Sequence, residues 1–215
     1  MDLVAPVTGL DEFAAVVGAG PDLVELRLDL VSREDHPALA AACREVSVPL
    51  IATVRSVGEG GGFAGDTDDC ARVLAPFLPL ARYVDLERRF RSLAPSCREA
   101  GCRVIASVHL ETMLPLPELF GLARDLRSWG DLPKIVLAPS SDDDLLDLLS
   151  FTHAVEKPVC TSIMGTAFRH GRALLPLFGS SFAYCSVGRP SSPGQYTLAE
   201  MRTLATLLGP VETAR

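Results

Sequence analysis

Two side chains in this sequence could do carbonyl chemistry together. Lys134 is one of only two lysines, with Lys157, among 20 basic residues, the rest being arginine. It opens the apolar run Lys134–Leu137, and His109 closes the run Ala106-Ser107-Val108-His109. A desolvated lysine near cationic groups gives up its proton readily, and the neutral amine attacks a carbonyl carbon to form a Schiff base. Arg55 and Arg172 could supply those neighbouring charges. An imidazole titrates near neutrality and can move protons on and off the adduct. Taken singly, a strand-end histidine reads as structural and a lysine opening a strand as a solvated edge residue. On neighbouring strands they read as a nucleophile and a proton shuttle.

Other polar residues interrupt apolar runs in the same way. Glu25, Arg27 and Asp29 alternate, which puts all three on one face of a strand. Charges on a buried face are costly unless they pair with one another or meet a polar ligand, and both readings stand. Arg55 ends the run Thr53-Val54-Arg55-Ser56, just ahead of Glu59-Gly60-Gly61-Gly62. A guanidinium there can direct several bonds to carboxylate or hydroxyl groups. The glycines allow close approach to a ligand or simply a flexible connection. Arg172 and the segment Ser191-Ser192-Pro193-Gly194-Gln195 come late, where a barrel fold often binds anionic groups. His36, His153 and His170 read as surface or loop residues.

The elements that must position these groups are short apolar runs alternating with amphipathic ones. Strands are expected at Leu3–Val7, Leu23–Leu28, Pro49–Val54, Tyr83–Asp85, Val104–Val108, Lys134–Leu137, Val159–Ile163 and Phe182–Ser186. Their apolar and β-branched content suits parallel strands buried on both faces. Helices are expected near residues 10–18, 37–44, 67–78, 88–99, 116–128, 141–152, 171–177 and 197–208, with Asp66 and Ser140 as N-caps. Eight alternations in 215 residues point to one (β/α)₈ barrel domain over residues 1–215. The rival, a doubly wound sheet, would want a phosphate loop after the first strand, and Ala5–Gly9 is too poor in glycine for one. A lysine at the start of its strand sits awkwardly with an active site at the strands' C-terminal ends.

Composition narrows the function further. A net charge of -7 with no basic cluster argues against nucleic acid as a partner. No apolar stretch approaches the roughly 18 residues of a membrane span, and the N-terminus does not resemble a secretory signal. The six cysteines lack zinc or C-x-x-C spacing and read as buried small hydrophobes in a reducing cytoplasm. No histidine–carboxylate cluster has ligand spacing, so no metal is expected.

The segments, taken in order, resemble one family. Glu25-Leu26-Arg27-Leu28-Asp29 resembles the E-x-R-x-D signature of type I 3-dehydroquinate dehydratases. Thr53–Ser56 with Glu59-Gly60-Gly61 is similar to the family's T-x-R-x-x-x-E-G-G. Ser107-Val108-His109 resembles its S-x-H element, and Pro133-Lys134-Ile135 the strand that bears its Schiff-base lysine. Met164-Gly165, Arg172, Phe178-Gly179-Ser180 and Ser192-Pro193-Gly194-Gln195 follow the family's order. The resemblance implies a barrel and a cofactor-free syn dehydration of 3-dehydroquinate to 3-dehydroshikimate in the shikimate pathway. In it, Lys134 forms the imine, His109 shuttles the proton and Glu59 orients His109. Arg172, Ser191 and Gln195 hold the substrate carboxylate, while Glu25, Arg27 and Arg55 contact ring hydroxyls. It also implies a homodimer. The chain departs from the pattern at Leu110-Glu111, where Asp-Phe is usual, and at Gly171, where Ser is usual. The S-M-G element is spaced differently by one residue, and the N-terminus is short for a hairpin that often plugs the barrel. A Schiff-base aldolase on the same scaffold, and a catalytically inactive binding barrel, are the alternatives.

Overall fold

The computed structural model describes residues 1–209. Eight parallel strands form one sheet in the order β7-β6-β5-β4-β3-β2-β1-β8. They are β1 (Asp2–Val7), β2 (Leu23–Arg27), β3 (Leu50–Thr53), β4 (Tyr83–Glu87), β5 (Arg103–Leu110), β6 (Leu132–Leu137), β7 (Cys160–Ile163) and β8 (Phe182–Tyr184). A helix follows each strand: α1 (Phe13–Gly18), α2 (His36–Arg44), α3 (Thr67–Leu74), α4 (Ala94–Glu99), α5 (Leu116–Arg127), α6 (Asp142–Ala154), α7 (Gly171–Leu174) and α8 (Leu198–Leu208). The expected barrel is therefore present. Its seam between β7 and β8 is closed by the Ser180 hydroxyl, which accepts from Thr161 N at 3.0 Å and donates back toward Thr161 O at 3.1 Å, and by Ser181 N donating to Val159 O at 2.8 Å. Among the described residues no helix is long and apolar enough to cross a membrane.

Local chemistry accounts for where helices start and break. Asp66, Ser141 and Thr197 each accept from the amide three residues on, and Asp69, Asp144 and Glu200 reach back to complete capping boxes. The cap of α6 is thus Ser141, one residue past the expected Ser140, whose amide and hydroxyl instead donate to Asp144. Three helices expected as continuous, those near 10–18, 88–99 and 171–177, begin or end in 3-10 turns, and proline marks the break in the last two. Pro95 and Pro176 lack an amide hydrogen, so each marks the start of a new segment, α4 and the turn Leu175–Phe178. His36, read as a loop residue, is buried at the start of α2 and packs edge-on against Phe77.

The layering of the barrel interior sets up the site. Each strand contributes one residue to an apolar floor: Val4, Leu23, Ile51, Tyr83, Ile105, Leu132, Cys160 and Phe182. Side chains alternate along a strand, so the residue two positions on faces the same interior. On seven of the eight strands that step replaces the floor with Glu25, Thr53, Asp85, Ser107, Lys134, Ser162 and Tyr184, β1 alone keeping an apolar residue, Pro6. One further step brings Arg27, Arg55, Glu87 and His109. The barrel changes from apolar to charged within one residue pair.

Candidate active site

Lys134 is the third residue of β6, because that strand begins at Leu132. The position two residues inside the strand removes the awkwardness noted in the sequence: the amine rises from the polar layer rather than from the bottom edge. Lys134 pairs in register with Ser107 on β5, and His109 lies two residues farther along β5. At about 3.3 Å per residue, His109 stands roughly 7 Å nearer the mouth on the adjoining strand.

The Lys134 amine is almost fully buried and donates to Asp85 Oδ2 at 2.8 Å and to the Tyr184 hydroxyl at 2.9 Å. Glu25 Oε1 lies 3.8 Å away and itself accepts from Thr53 Oγ1 at 2.9 Å. The expected crowd of cations around this amine is not found at contact distance. Arg55 reaches Asp85 Oδ1 at 2.8 Å, so a carboxylate stands between the two positive groups. Burial alone would push the Asp85 carboxyl up; Arg55 and Lys134 beside it prevail and hold it well below the usual carboxylate range.

Arg55 is the hub of the upper layer. Its guanidinium also donates to Ser107 Oγ at 3.0 Å, to Glu87 at 3.2 Å and to Glu59 at 3.3 Å. Burial disfavours its charge, but Asp85, Glu87 and Glu59 outweigh that and raise its pKa. Glu59 sits in the 3-10 turn Val57–Glu59 above it. Glu59 Oε2 accepts from the His109 amide at 3.1 Å and lies 2.9 Å from His109 Nδ1. An oxygen already accepting from that amide and from Arg55 acts as an acceptor again, so Nδ1 carries the proton and Nε2 is left free as a base. Burial, with Arg55 and Lys134 nearby, pushes the His109 imidazole well below its usual range. Burial pushes the Glu59 carboxyl up to about 7, with Arg55 opposing and Glu87 and Asp85 reinforcing the rise.

Lys134, Arg55, Glu59 and His109 border one cavity of about 290 Å³. It is lined by the nine residues to which the family resemblance gives a role: Glu25, Arg27, Arg55, Glu59, His109, Lys134, Arg172, Ser191 and Gln195. The size suits a single-ring substrate, at the small end of ligand cavities. At the far wall, Arg172 Nη2 donates to Pro193 O at 3.1 Å, while its buried Nε has no partner among the described residues. Burial, with Arg169 adding to it, lowers the Arg172 pKa to about 10. Ser191 and Gln195 bond to each other: Ser191 N donates to Gln195 Oε1 at 3.0 Å and Gln195 Nε2 to Ser191 Oγ at 3.1 Å. Gly194, at φ +79°, brings this loop onto Gly165, where a β-carbon would stand 2.5 Å from the Gly165 carbonyl oxygen.

Asp29 does not share the interior face as expected. β2 ends at Arg27, and Leu30 N and Val31 N turn back to Arg27 O at 2.8 and 3.1 Å. Asp29 instead grips Arg27 through two bonds, at 3.0 and 2.8 Å, and accepts from Gly62 N at 3.1 Å. It fixes Arg27 from outside the cavity. Asp85, Glu87 and Tyr184 were missed in the sequence. The signal was present, since Tyr83-Val84-Asp85-Leu86-Glu87 carries charges at alternating positions as β2 does.

Comparison with known proteins adds an independent line. A family model described as type I 3-dehydroquinase matches residues 7–211. A 3-dehydroquinate dehydratase of Methanoregula boonei is 48% identical over 209 residues, covering 97% of this chain and 100% of that protein. One from Methanospirillum hungatei is 37% identical, covering 97% of this chain and 81% of its own length. The crystal structure of the Aquifex aeolicus 3-dehydroquinate dehydratase superposes with a TM-score of 0.84 at 27% identity, over 98% of this chain and 100% of that one. The family match begins at the end of β1 and runs through every later strand that lends a side chain to the cavity. The chain belongs to the type I 3-dehydroquinase family.

Proposed function

We propose that this barrel dehydrates 3-dehydroquinate through a Schiff base on Lys134, with His109 as the proton shuttle. The observation that carries the reading is the buried Lys134 amine at the base of a polar cavity, one strand from an imidazole whose Nε2 is free. The amine adds to the C3 carbonyl, and the carbinolamine loses water to give an iminium ion. Asp85, 2.8 Å from the amine, lies where that cation forms. The iminium withdraws electrons from C2, and His109 Nε2 takes the C2 proton to leave an enamine. The imidazolium returns the proton to the C1 hydroxyl on the same face, which departs as water. Hydrolysis of the remaining iminium frees 3-dehydroshikimate and Lys134. Glu59 holds the imidazole in its Nδ1–H tautomer and balances its charge while it carries the proton.

The same reading gives Arg172 the substrate carboxylate. Its unpartnered, buried Nε is a donor waiting for an acceptor. Ser191 and Gln195 exchange their mutual bonds for the carboxylate, and Glu25, Arg27 and Arg55 border the ring hydroxyls. The protein side chains supply every group in this scheme, so it uses no cofactor. The unit that does this is one barrel domain. A homodimer in a reducing cytoplasm completes the proposal. Exposed Leu146, Leu177 and Phe178 on adjoining segments support the first, and six unpaired, buried cysteines the second.

Borohydride reduction in the presence of 3-dehydroquinate tests the nucleophile. The expected product is a single covalent adduct on Lys134 by peptide mass spectrometry. No adduct, or one on Lys157, would overturn the assignment. His109→Ala should still trap the imine while losing turnover, and wild-type turnover in that variant would remove the shuttle role.

A further inference from the structure

Glu87 does not line the cavity, yet it is fully buried beside it at the end of β4. One of its oxygens is heavily used: Oε1 accepts from Ser56 N at 2.6 Å and from Arg55 Nη1 at 3.2 Å. The other, Oε2, has no hydrogen-bond partner among the described residues. A buried carboxylate with half its acceptor capacity idle is costly, and its retention asks for a reason. The reason lies in what Oε1 holds. Ser56 is the N-cap of the turn Val57–Glu59, so its amide fixes where that turn begins. Arg55 Nη1 is shared almost equally, 3.2 Å to Glu87 and 3.3 Å to Glu59.

We propose that Glu87 is a positioning residue for the dehydration: through the Ser56 amide and the shared Arg55 guanidinium it sets the place and the basicity of Glu59. The proposal rests on the reading of Glu59 and His109 given above. The groups facing Glu59 are Arg55 just past β3, Asp85 and Glu87 from β4, and His109 from β5. Without Glu87, Arg55 would pair more fully with Glu59 and hold it as a strongly ionised carboxylate. Such a partner would bind the imidazolium tightly and resist return of its proton to the departing hydroxyl. With Arg55 divided and a second negative charge close by, Glu59 stays near the basicity at which a proton passes both ways.

The test is the pH dependence of kcat/KM for wild type, Glu87→Gln and Glu87→Asp, with carboxyl carbon NMR of Glu59 in each. In wild type, Glu59 should titrate near 7 and kcat/KM should rise with pH through that value. Glu87→Gln keeps the shape but removes the charge. Its Glu59 titration and the acid limb of its profile should both move down by about one pH unit, with kcat falling more than KM changes. Glu87→Asp keeps the charge and should return the limb toward wild type. An acid limb and a Glu59 titration that both stay in place in Glu87→Gln would overturn the proposal. So would a wild-type Glu59 that titrates in the ordinary carboxylate range, a result that needs no variant to fold. Wild-type turnover in His109→Ala would instead overturn the reading beneath it.

Discussion

Replacing Asp85 with asparagine probes the ion layer on which the site is built. Asp85 is fully buried; Oδ1 accepts from Arg55 at 2.8 Å and Ser107 at 2.5 Å, and Oδ2 from Lys134 at 2.8 Å. Asparagine keeps the shape, but its amide nitrogen must face Lys134 or Arg55, donor against donor. Arg55 still has Glu59 and Glu87. Lys134 is left with the Tyr184 hydroxyl and Glu25 at 3.8 Å, so the loss falls mainly there. Breaking one buried pair while its partner charge stays costs about 3–5 kcal/mol. At about 2–4 °C per kcal/mol for a chain of this size, Tm should fall by roughly 6–20 °C. Urea unfolding followed by the fluorescence of Trp129, the single tryptophan, measures the change at pH 7. Adding Lys134→Met removes the stranded cation and should restore about 2–3 kcal/mol of the loss. The pH dependence has a definite sign. The Asp85 carboxyl is depressed in the folded protein, so its contribution is present above the unfolded value of about 4 and is lost as pH falls below it. The stability gap between wild type and Asp85→Asn should therefore narrow in acid. A loss below about 1 kcal/mol at pH 7, or a double variant no more stable than the sum of its singles, would refute the reasoning.

Two further outcomes follow from the same geometry. Arg172→Met should lower kcat/KM for 3-dehydroquinate on the order of 10- to 100-fold, the worth of one charge-assisted bond; steady-state kinetics with an unchanged value would remove Arg172 from the carboxylate site. Gly171→Ser should cost about 1–3 kcal/mol by overpacking, because a β-carbon there would stand 2.3 Å from Ile163 Cδ1 and 2.8 Å from Leu145 Cδ1; thermal unfolding at the wild-type temperature would contradict that packing.

Gly171 also shows how a departure from the family pattern becomes intelligible only in three dimensions. In the sequence it is a substitution beside Arg172. In the fold it is the point where α7 meets the side chains of β7 and α6, whose terminal methyls would have to shift to admit a serine. The same limit explains the misplaced Asp29. Alternation predicts a face only while the strand lasts, and β2 ends two residues too soon. Asp85 and Glu87 were legible by the rule applied to Glu25 and Arg27, but the expected strand stopped at Asp85, short of the residue that completes the pattern.

The sequence by itself determined the barrel, because eight apolar runs alternating with amphipathic helices have few other ways to bury both faces of a parallel sheet. It also pointed to the charged residues that line the cavity, since charges on buried strands need a common place to meet a ligand or one another. Tertiary structure decided the pairings. Which carboxylate stands beside Lys134, how Arg55 is divided, and which nitrogen of His109 is free depend on the register between strands far apart in the chain. Electrostatic interactions vary over a few ångströms and with the surrounding dielectric, and spacing along one chain does not encode distances between strands. For this reason Lys134 stood out in the sequence, while the pairing of its amine with Asp85 at 2.8 Å emerged only from the fold.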